Sequence, residues 1–230
     1  MSAIAKASHR TPLQPGRGKR GQGRPTQADP EITKALIVAA TRELLRHKKP
    51  ARITREAVAR AARVDPGLVR YYFGNTSSLF THVIRNIGDD LHARLDALAP
   101  AANALDQLRD EARVWLQVFM EDPHFHDLVV DRIFHSEDRT AAEMLSRFVD
   151  RAYPRIDRLV SAGTRRGELR KVDPRFVYLA FIGLCEFFAT AGPLVERLFG
   201  GKGAAARFAP AYGRFVADLL ADGLRKREPG

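Results

Sequence analysis

Hydrophobic residues recur every three or four positions along most of this 230-residue chain, and that spacing places them on one face of a helix. Alanine, leucine and arginine, which favour helix, are abundant, and runs of β-branched residues are few. We therefore predict an all-α fold. The pattern predicts nine helices, over residues 31–47, 56–63, 66–73, 76–98, 103–121, 123–136, 137–166, 174–199 and 204–225.

The predicted helices differ in how much of their surface is apolar. The first and fifth carry a single stripe, so each is expected to bury one face. The stripes are Ile32, Leu36, Ala39, Ala40 and Leu44 in the first helix and Leu105, Leu108, Ala112, Trp115 and Phe119 in the fifth. The eighth is apolar nearly all round, except for Glu186 and an expected kink at Gly192-Pro193. Because such a helix must be covered on every side, we expect the eighth and ninth helices to form a subunit interface, at Phe188, Phe215 and Leu219.

Residues 54–73 are typical of two short helices joined by a tight turn. Thr54 is a good N-cap for the first helix, while Asp65 and Pro66 end it and start the second. The second helix has an apolar face, expected to pack on the first, and an exposed face. The apolar face is Val69, Tyr72 and Phe73, and the exposed face is Gly67, Arg70 and Tyr71.

The exposed face of this second helix suits the major groove of DNA. Gly67 allows close approach of the backbone, Arg70 can form a bidentate contact with guanine, and Tyr71 can contact a phosphate or a thymine methyl. The spacing by itself also fits an ordinary helical hairpin.

The charge of the chain favours the DNA-binding interpretation. Residues 1–75 hold 16 Lys+Arg against 5 Asp+Glu, whereas residues 76–230 hold 22 of each. The whole net charge of +11 therefore lies in and before the two short helices, as binding to a polyanion requires.

Over about fifty residues the sequence resembles the DNA-binding domain of the TetR (tetracycline repressor) family of bacterial transcriptional regulators. The residues that carry the resemblance are Thr54, Val58-Ala59, Ala61-Ala62, Val64, Gly67, Val69, Tyr72-Phe73, Gly74-Asn75 and Leu79. Three positions depart from the family pattern. Arg63 replaces the glycine of the turn between the helices, Thr76 replaces a phosphate-contacting lysine, and Ser77-Ser78 replaces acidic residues.

The resemblance implies a homodimer that binds a pseudo-palindromic operator on double-stranded DNA and is released by a small-molecule effector, most often as a repressor. Its implied domains are residues 1–28 as a basic arm, 29–76 as a three-helix DNA-binding domain, and 77–228 as a larger helical domain for effector binding and dimerisation. The expected DNA-binding residues are Thr54, Arg63, Pro66, Gly67, Arg70, Tyr71, Tyr72 and Thr76. The alternative is a constitutive or architectural DNA-binding protein that takes no ligand.

The N-terminal arm is rich in glycine, proline, glutamine and arginine and has too few large apolar residues to fold alone. Arg17, Lys19, Arg20 and Arg24 stand among glycines, in a segment that loosely resembles an AT-hook. Two interpretations remain open: insertion into an A·T-rich minor groove, or a disordered tail that contacts phosphates without sequence preference.

Two clusters in the C-terminal part are candidates for ligand or metal binding. An aromatic set is expected either to fill the core or to line a pocket for a largely apolar effector. The candidate pocket residues are Trp115, Phe119, Phe134, Met144, Phe148, Phe181 and Cys185. Near the sixth helix, His124, His126, Asp131 and His135 have spacings that suit either a metal site or a hydrated helix surface; we predict no metal.

The sequence carries no recognised enzyme signature, so we predict no catalytic residues and no cofactor. A single cysteine, Cys185, excludes an internal disulfide and is consistent with a reducing compartment. The first residues lack the apolar core of a secretory signal, and the longest apolar run is too short to span a membrane. These features predict a cytoplasmic protein without membrane association.

Overall fold

Ten α-helices make up most of the residues described by this computed structural model, which are 29–134 and 139–226. Within those ranges the one β-type pairing is an isolated bridge between Leu169 and Arg225, so the all-α prediction is confirmed. The helices are α1 (Pro30–His47), α2 (Arg55–Ala62), α3 (Pro66–Phe73), α4 (Thr76–Asp96), α5 (Ala104–Glu121), α6 (Phe125–Val129), α7 (Arg139–Arg165), α8 (Pro174–Thr190), α9 (Gly192–Leu198) and α10 (Ala204–Leu224). A 3-10 turn, Pro50–Arg52, precedes α2, and a π-helical turn, Val130–Phe134, follows α6.

Side-chain caps fix where the helices of the N-terminal part begin. The Thr54 hydroxyl accepts a hydrogen bond from the backbone N–H of Ala57 at 3.2 Å, and Asp65 Oδ1 accepts one from Gly67 N at 2.7 Å. Each satisfies a backbone donor that has no partner within its helix. Both caps were predicted from the sequence and are confirmed.

The buried stripe of α1 differs from the predicted one. Its buried residues are Thr33, Ile37, Thr41 and Leu45, while Ile32 and Leu36 are more than half exposed. The prediction was wrong by one position, because it left out the apolar residues Ile37 and Leu45 as well as the two threonines. The two threonines can be buried because their hydroxyls donate to the carbonyl oxygens four residues earlier, at 3.1 and 2.7 Å.

Helix α5 is the centre of the C-terminal part. It packs most extensively against α10 and also contacts α8, α7 and α4. Its predicted stripe, from Leu105 to Phe119, is buried. Helix α4 contacts α1 and α3 as well as α5 and α6, so it connects the DNA-binding candidate to the larger helical part. The predicted domain boundary at residues 76–77 falls in the first turn of α4.

A group of ion pairs joins α1 to α4 and α5. Arg42 Nη2 lies 2.6 Å from Asp122 Oδ2 and 2.7 Å from Asp90 Oδ2, and Arg42 Nε donates to Asp122 Oδ1 at 2.9 Å. Arg94 contacts both Asp90 and Glu121. Burial opposes ionisation of Asp90, but hydrogen bonds from Arg94 and Arg42 outweigh it and lower the pKa of Asp90. The Asp90 carboxylate is therefore charged at neutral pH.

The predicted eighth helix is two helices, α8 and α9, which meet at a bend of 74° beside Gly192-Pro193. Pro193 has no backbone N–H to continue α8, and it stands in the first turn of α9, where that N–H would have no partner within the helix. By contrast, α7 continues through Pro154. In the described part of the chain no single helix has the length and apolar composition of a membrane span; α8 and α9 reach them only when taken together across the bend.

The outer faces of α8 and α10 are apolar and exposed in the protomer. Their exposed large side chains include Phe176, Leu179, Phe187, Phe215 and Leu219. Phe188, which the sequence analysis placed at the subunit interface, is instead 4% exposed, and its ring stacks on Tyr212 with centroids 4.1 Å apart. That prediction was wrong: Phe188 belongs to the core of the protomer, and its neighbour Phe187 points outward.

Candidate functional site

The exposed face of α3 carries the side chains that the sequence analysis assigned to DNA contact. Gly67 and Arg70 are exposed, and Tyr71 is 79% exposed, while Val69 and Phe73 are buried beneath them. Tyr72 is only partly buried. Its ring makes an edge contact with Tyr71 at 5.0 Å, and Lys34 Nζ lies 5.8 Å from its centre. The structure thus brings Arg70 and Tyr71 together on one open helix surface.

Gly67 is also required by the cap of α3. A Cβ atom at this position would lie 2.8 Å from Asp65 Oδ1, the atom that accepts the Gly67 N–H. A larger residue would have to displace the cap. The absence of a side chain therefore serves the local structure as well as the approach of a ligand to the helix backbone.

Arg63 is the one non-glycine residue with a positive φ in the described ranges, at φ 57° and ψ 41°. Here α2 ends in a Schellman motif: Val64 N donates to Ala59 O at 3.0 Å and Arg63 N donates to Arg60 O at 3.3 Å. Left-handed geometry at this position costs an L-residue about 1–2 kcal/mol, which glycine avoids. The turn thus keeps an exposed guanidinium next to α3 at a cost in backbone energy.

Replacing Arg63 with glycine should stabilise the protein by about 0.5–1 kcal/mol in urea unfolding, because the relief of left-handed strain exceeds the added flexibility of the unfolded chain. Arg60→Gly is the matched control. It removes the same charge from an exposed position inside α2, where glycine should destabilise by about 1 kcal/mol. Destabilisation by Arg63→Gly would mean that the guanidinium stabilises the fold.

A cleft of about 380 Å³ lies where the N-termini of α2 and α4 meet, beside α3. Thr54 and Arg55 border it on one side, and Asn75 and Thr76 on the other. Both helices direct the positive end of their dipole toward this cleft, which favours a phosphate, although the Glu56 carboxylate also lines the cleft and opposes one. Thr76, which lacks the charge of the family's lysine, is nevertheless at the first turn of α4, where backbone N–H groups can take over that contact.

The surface around α2 and α3 is positively charged. Several of its basic side chains are exposed and have no carboxylate partner in the part of the chain that the structure describes. They are Lys48, Lys49, Arg52, Arg60, Arg63 and Arg70. Such unpaired cations are available to phosphates and release counterions when they bind.

A second candidate site is a cavity of about 500 Å³ between α5, α6, α7 and α8. Aromatic rings form a continuous arc along its wall, with neighbouring centroids 5.6–6.3 Å apart. The rings, in spatial order, are Tyr178, Trp115, Phe119, Phe125 and Phe148. Burial raises the pKa of Tyr178 to about 12, so the phenol is neutral at physiological pH.

The remaining wall of the cavity is aliphatic except for Glu186. It is formed by Val129, Leu145, Val149, Leu179, Ile182 and Gly183. Among the described residues that line the cavity, Glu186 carries the one ionisable acid or base besides the Tyr178 phenol. The nearest basic group to its carboxylate is His126, with Nδ1 2.9 Å from Oε1.

The cavity contains only some of the residues that the sequence analysis assigned to a pocket. Trp115, Phe119 and Phe148 line it. Phe181 and Cys185 do not, because both face the core and are fully buried. The Cys185 thiol lies 3.8 Å from Ala112 O, and burial raises the pKa of this thiol to about 12, which leaves it protonated and unreactive.

Two further residues of the predicted pocket stand elsewhere. Met144 lines a neighbouring groove of about 470 Å³ with Arg85 and Gly88 of α4. The side chain of Phe134 lies outside the described part of the structure. Three residues of the cavity wall were not predicted from the sequence: Tyr178, Ile182 and Glu186, which stand four residues apart along α8. The sequence did contain a clue to this face of α8, since Glu186 is the one acidic residue within an otherwise apolar helix.

The histidines near α6 form separate pairs. His124 Nδ1 lies 2.9 Å from Asp127 Oδ2, whereas His126 contacts Glu186. Asp131 pairs with Arg132, and His135 lies outside the described residues. Within those residues no three histidine, cysteine, aspartate or glutamate side chains form a group that could hold a metal ion. The arm residues Arg17, Lys19, Arg20 and Arg24 also lie outside the described ranges.

Comparison with known proteins supports the same architecture. A transcriptional regulator from Rhodococcus sp. Rha1 superposes with a TM-score of 0.64 at 17% identity, over 85% of this chain and 99% of that one. A TetR-family regulator from Marinobacter aquaeolei VT8 gives 0.61 at 16%, over 86% and 97%. A regulator from Saccharomonospora viridis, solved in complex with choline, gives 0.66 at 13%, over 86% and 100%. At these identities the likeness concerns the fold.

The sequence itself identifies the family. Residues 105–220, more than half of the chain, match the family described as "Tetracyclin repressor-like, C-terminal domain". No protein of curated function matches the chain in sequence. The match lies outside the N-terminal segment that carries the TetR-like motif, so two separate parts of the chain indicate the same family. The chain belongs to the TetR family of DNA-binding transcriptional regulators.

Proposed function

We propose that this regulator binds a pseudo-palindromic operator as a homodimer, acts as a repressor, and is released from DNA by a small-molecule effector. The exposed face of α3 carries the proposal, because Arg70 and Tyr71 are exposed on a helix that lies beside a cleft at the N-termini of α2 and α4. In this proposal Thr54, Pro66, Thr76 and the turn at Arg63 contact the DNA backbone. The domain limits predicted from the sequence are retained with it.

The apolar outer faces of α8 and α10 support the homodimer. Soluble monomers rarely expose so many large apolar side chains on one face, and such faces mark interaction sites. One α3 contacts too few base pairs to select a site in a genome, whereas two in fixed positions can contact two half-sites. The proposed interface uses Phe215 and Leu219, with Phe187 in place of Phe188.

The cavity supports a ligand-responsive regulator over a constitutive one. Its volume of about 500 Å³ lies in the range of small-molecule sites, and its wall is mostly apolar. The Saccharomonospora viridis regulator, which has a similar fold, was solved with choline, so this architecture holds a small ligand in at least one relative.

Phe148 provides a physical link between the cavity and α4. Its ring lines the cavity, and on its other side it lies against Gly88, where a Cβ would be 3.7 Å from its Cζ. In our proposal an effector displaces this ring toward α4. Since α4 contacts α3, the displacement changes the spacing of the two DNA-binding helices in the dimer.

Replacing Arg70 with alanine should lower affinity for the preferred operator by about 1–3 kcal/mol and relax base preference at one position of each half-site. The operator is first selected from random duplexes by the wild-type protein, and affinities are then measured by fluorescence anisotropy. Arg52→Ala, an exposed cation before α2, is the control: it should weaken all duplexes about equally. An equal loss on random DNA for Arg70→Ala would contradict a base contact.

A further inference from the structure

The cavity combines an aromatic wall with one carboxylate, and from this we infer that its ligand is a hydrophobic organic cation. The inference rests on the proposed role of the cavity as an effector site and names the chemical class that fits it. The ligand would carry a positively charged nitrogen on an aromatic or alkyl body.

The charges around the cavity favour a cation. Glu186 lies within an otherwise apolar surface, and its side chain is largely shielded from water. No lysine or arginine is among the described residues that line the cavity. The His126 Nδ1 lies 2.9 Å from Glu186 Oε1 without the geometry of a hydrogen bond, and the two form an ion pair only when the imidazole is protonated. A carboxylate held in low dielectric surroundings attracts a ligand cation more strongly than one in water does.

The aromatic arc supplies a second, independent attraction for the same charge. The face of an aromatic ring carries negative potential, and a cation–π contact is stronger when the cation is removed from water. Trp115, Phe119 and Tyr178 belong to one connected set of rings, and Glu186 lines the same cavity from α8. An anionic ligand would meet the carboxylate and the ring faces with the wrong sign. A neutral ligand would gain only the apolar contact.

The test compares three probes that share an aryl-alkyl body and differ in charge: phenylbutyltrimethylammonium, phenylhexanol and phenylhexanoate. Binding to the full-length protein is measured by titration calorimetry. The cation should bind at least about tenfold more tightly than either other probe. Glu186→Gln should reduce that preference to about threefold or less and leave phenylhexanol binding unchanged. Glu186→Asp should keep the preference, as should Glu143→Gln, an exposed glutamate on α7 outside the cavity.

Equal affinity for the three probes, failure of the cation to bind, or a preference that survives Glu186→Gln would each overturn the inference. Release of the selected operator is measured in parallel with the same probes. If a neutral or anionic probe binds and releases DNA, the effector role stands and the cation assignment fails. If the cation binds through Glu186 but DNA stays bound, the cation assignment stands and the effector role fails.

Discussion

Replacing Asp122 with alanine should lower the free energy of unfolding by about 3 kcal/mol, a large effect for a single side chain. The Asp122 side chain is 3% exposed and accepts hydrogen bonds from two nitrogens of Arg42, at 2.6 and 2.9 Å. Removing the carboxylate leaves a guanidinium that is itself mostly buried. Breaking a buried pair in this way typically costs about 3–5 kcal/mol.

The lower end of that range applies because Arg42 keeps other partners. Asp90 Oδ2 remains 2.7 Å from its Nη2, and Asn86 Oδ1 remains 3.2 Å from Nη1. The loss should be seen in urea unfolding as a lower midpoint with an unchanged slope. Because Arg42 is on α1 and Asp122 ends α5, the variant should also loosen the DNA-binding helices from the larger helical part.

Asp222→Ala is the control for this prediction, since Asp222 pairs with Arg225 on the surface at 3.3 Å and both side chains are more than half exposed. Its removal should change stability by less than about 0.5 kcal/mol. The double variant Arg42→Ala with Asp122→Ala should cost less than the sum of the single losses, because no unpaired charge remains. A loss below about 1 kcal/mol for Asp122→Ala would show that the pair contributes little.

The DNA-binding helices were the part best predicted from the sequence, because their limits depend on local chemistry. Thr54, Asp65 and Pro66 determine the starts of α2 and α3 through caps and a fixed φ angle, without contributions from distant residues. The face of α3 then follows from helical spacing alone. The exposed group of Gly67, Arg70 and Tyr71 was therefore predictable.

Burial of particular side chains was predicted less well where it depends on contacts distant in sequence. On α1 the buried face lies one position from the predicted stripe, and its two threonines can be buried because their hydroxyls donate to backbone carbonyl oxygens. On α8, which is apolar nearly all round, helical periodicity does not indicate which face is buried. Phe187 and Phe188 point in different directions, and only the stacking of Phe188 on Tyr212 decides which is internal.

The cavity was predicted only in part for the same reason. Trp115 and Phe119 come from α5 and Phe148 from α7, and aromatic composition cannot separate rings that fill the core from rings that line a cavity. Phe181 and Cys185 fell on the core side of α8. Glu186 was the more informative position, since an acid inside an apolar helix has to face water, a partner or a ligand.

Replacing Phe187 with aspartate should convert the protein to a monomer, with a dimer dissociation constant raised about a thousandfold or more. Phe187 is 62% exposed on the outer face of α8. In a two-fold symmetric dimer each substitution acts twice, so the loss of two buried phenylalanines removes about 3–6 kcal/mol. Desolvation of two unpaired carboxylates adds to that cost. Each 1.4 kcal/mol changes the dissociation constant tenfold.

Sedimentation velocity over a range of concentrations measures the change, and Leu219→Asp on α10 should act in the same way. Leu36→Asp is the matched control, because Leu36 is 51% exposed on α1, away from the proposed interface, and this substitution should leave the dimer intact.

Phe188→Asp should have a different effect. It places a charge inside the protomer, so it should unfold the protein instead of giving folded monomers. Folded monomers should lose specific operator affinity and keep weak binding to random DNA, because one α3 still contacts phosphates. A normal dimer in both Phe187→Asp and Leu219→Asp would place the subunit interface on another surface.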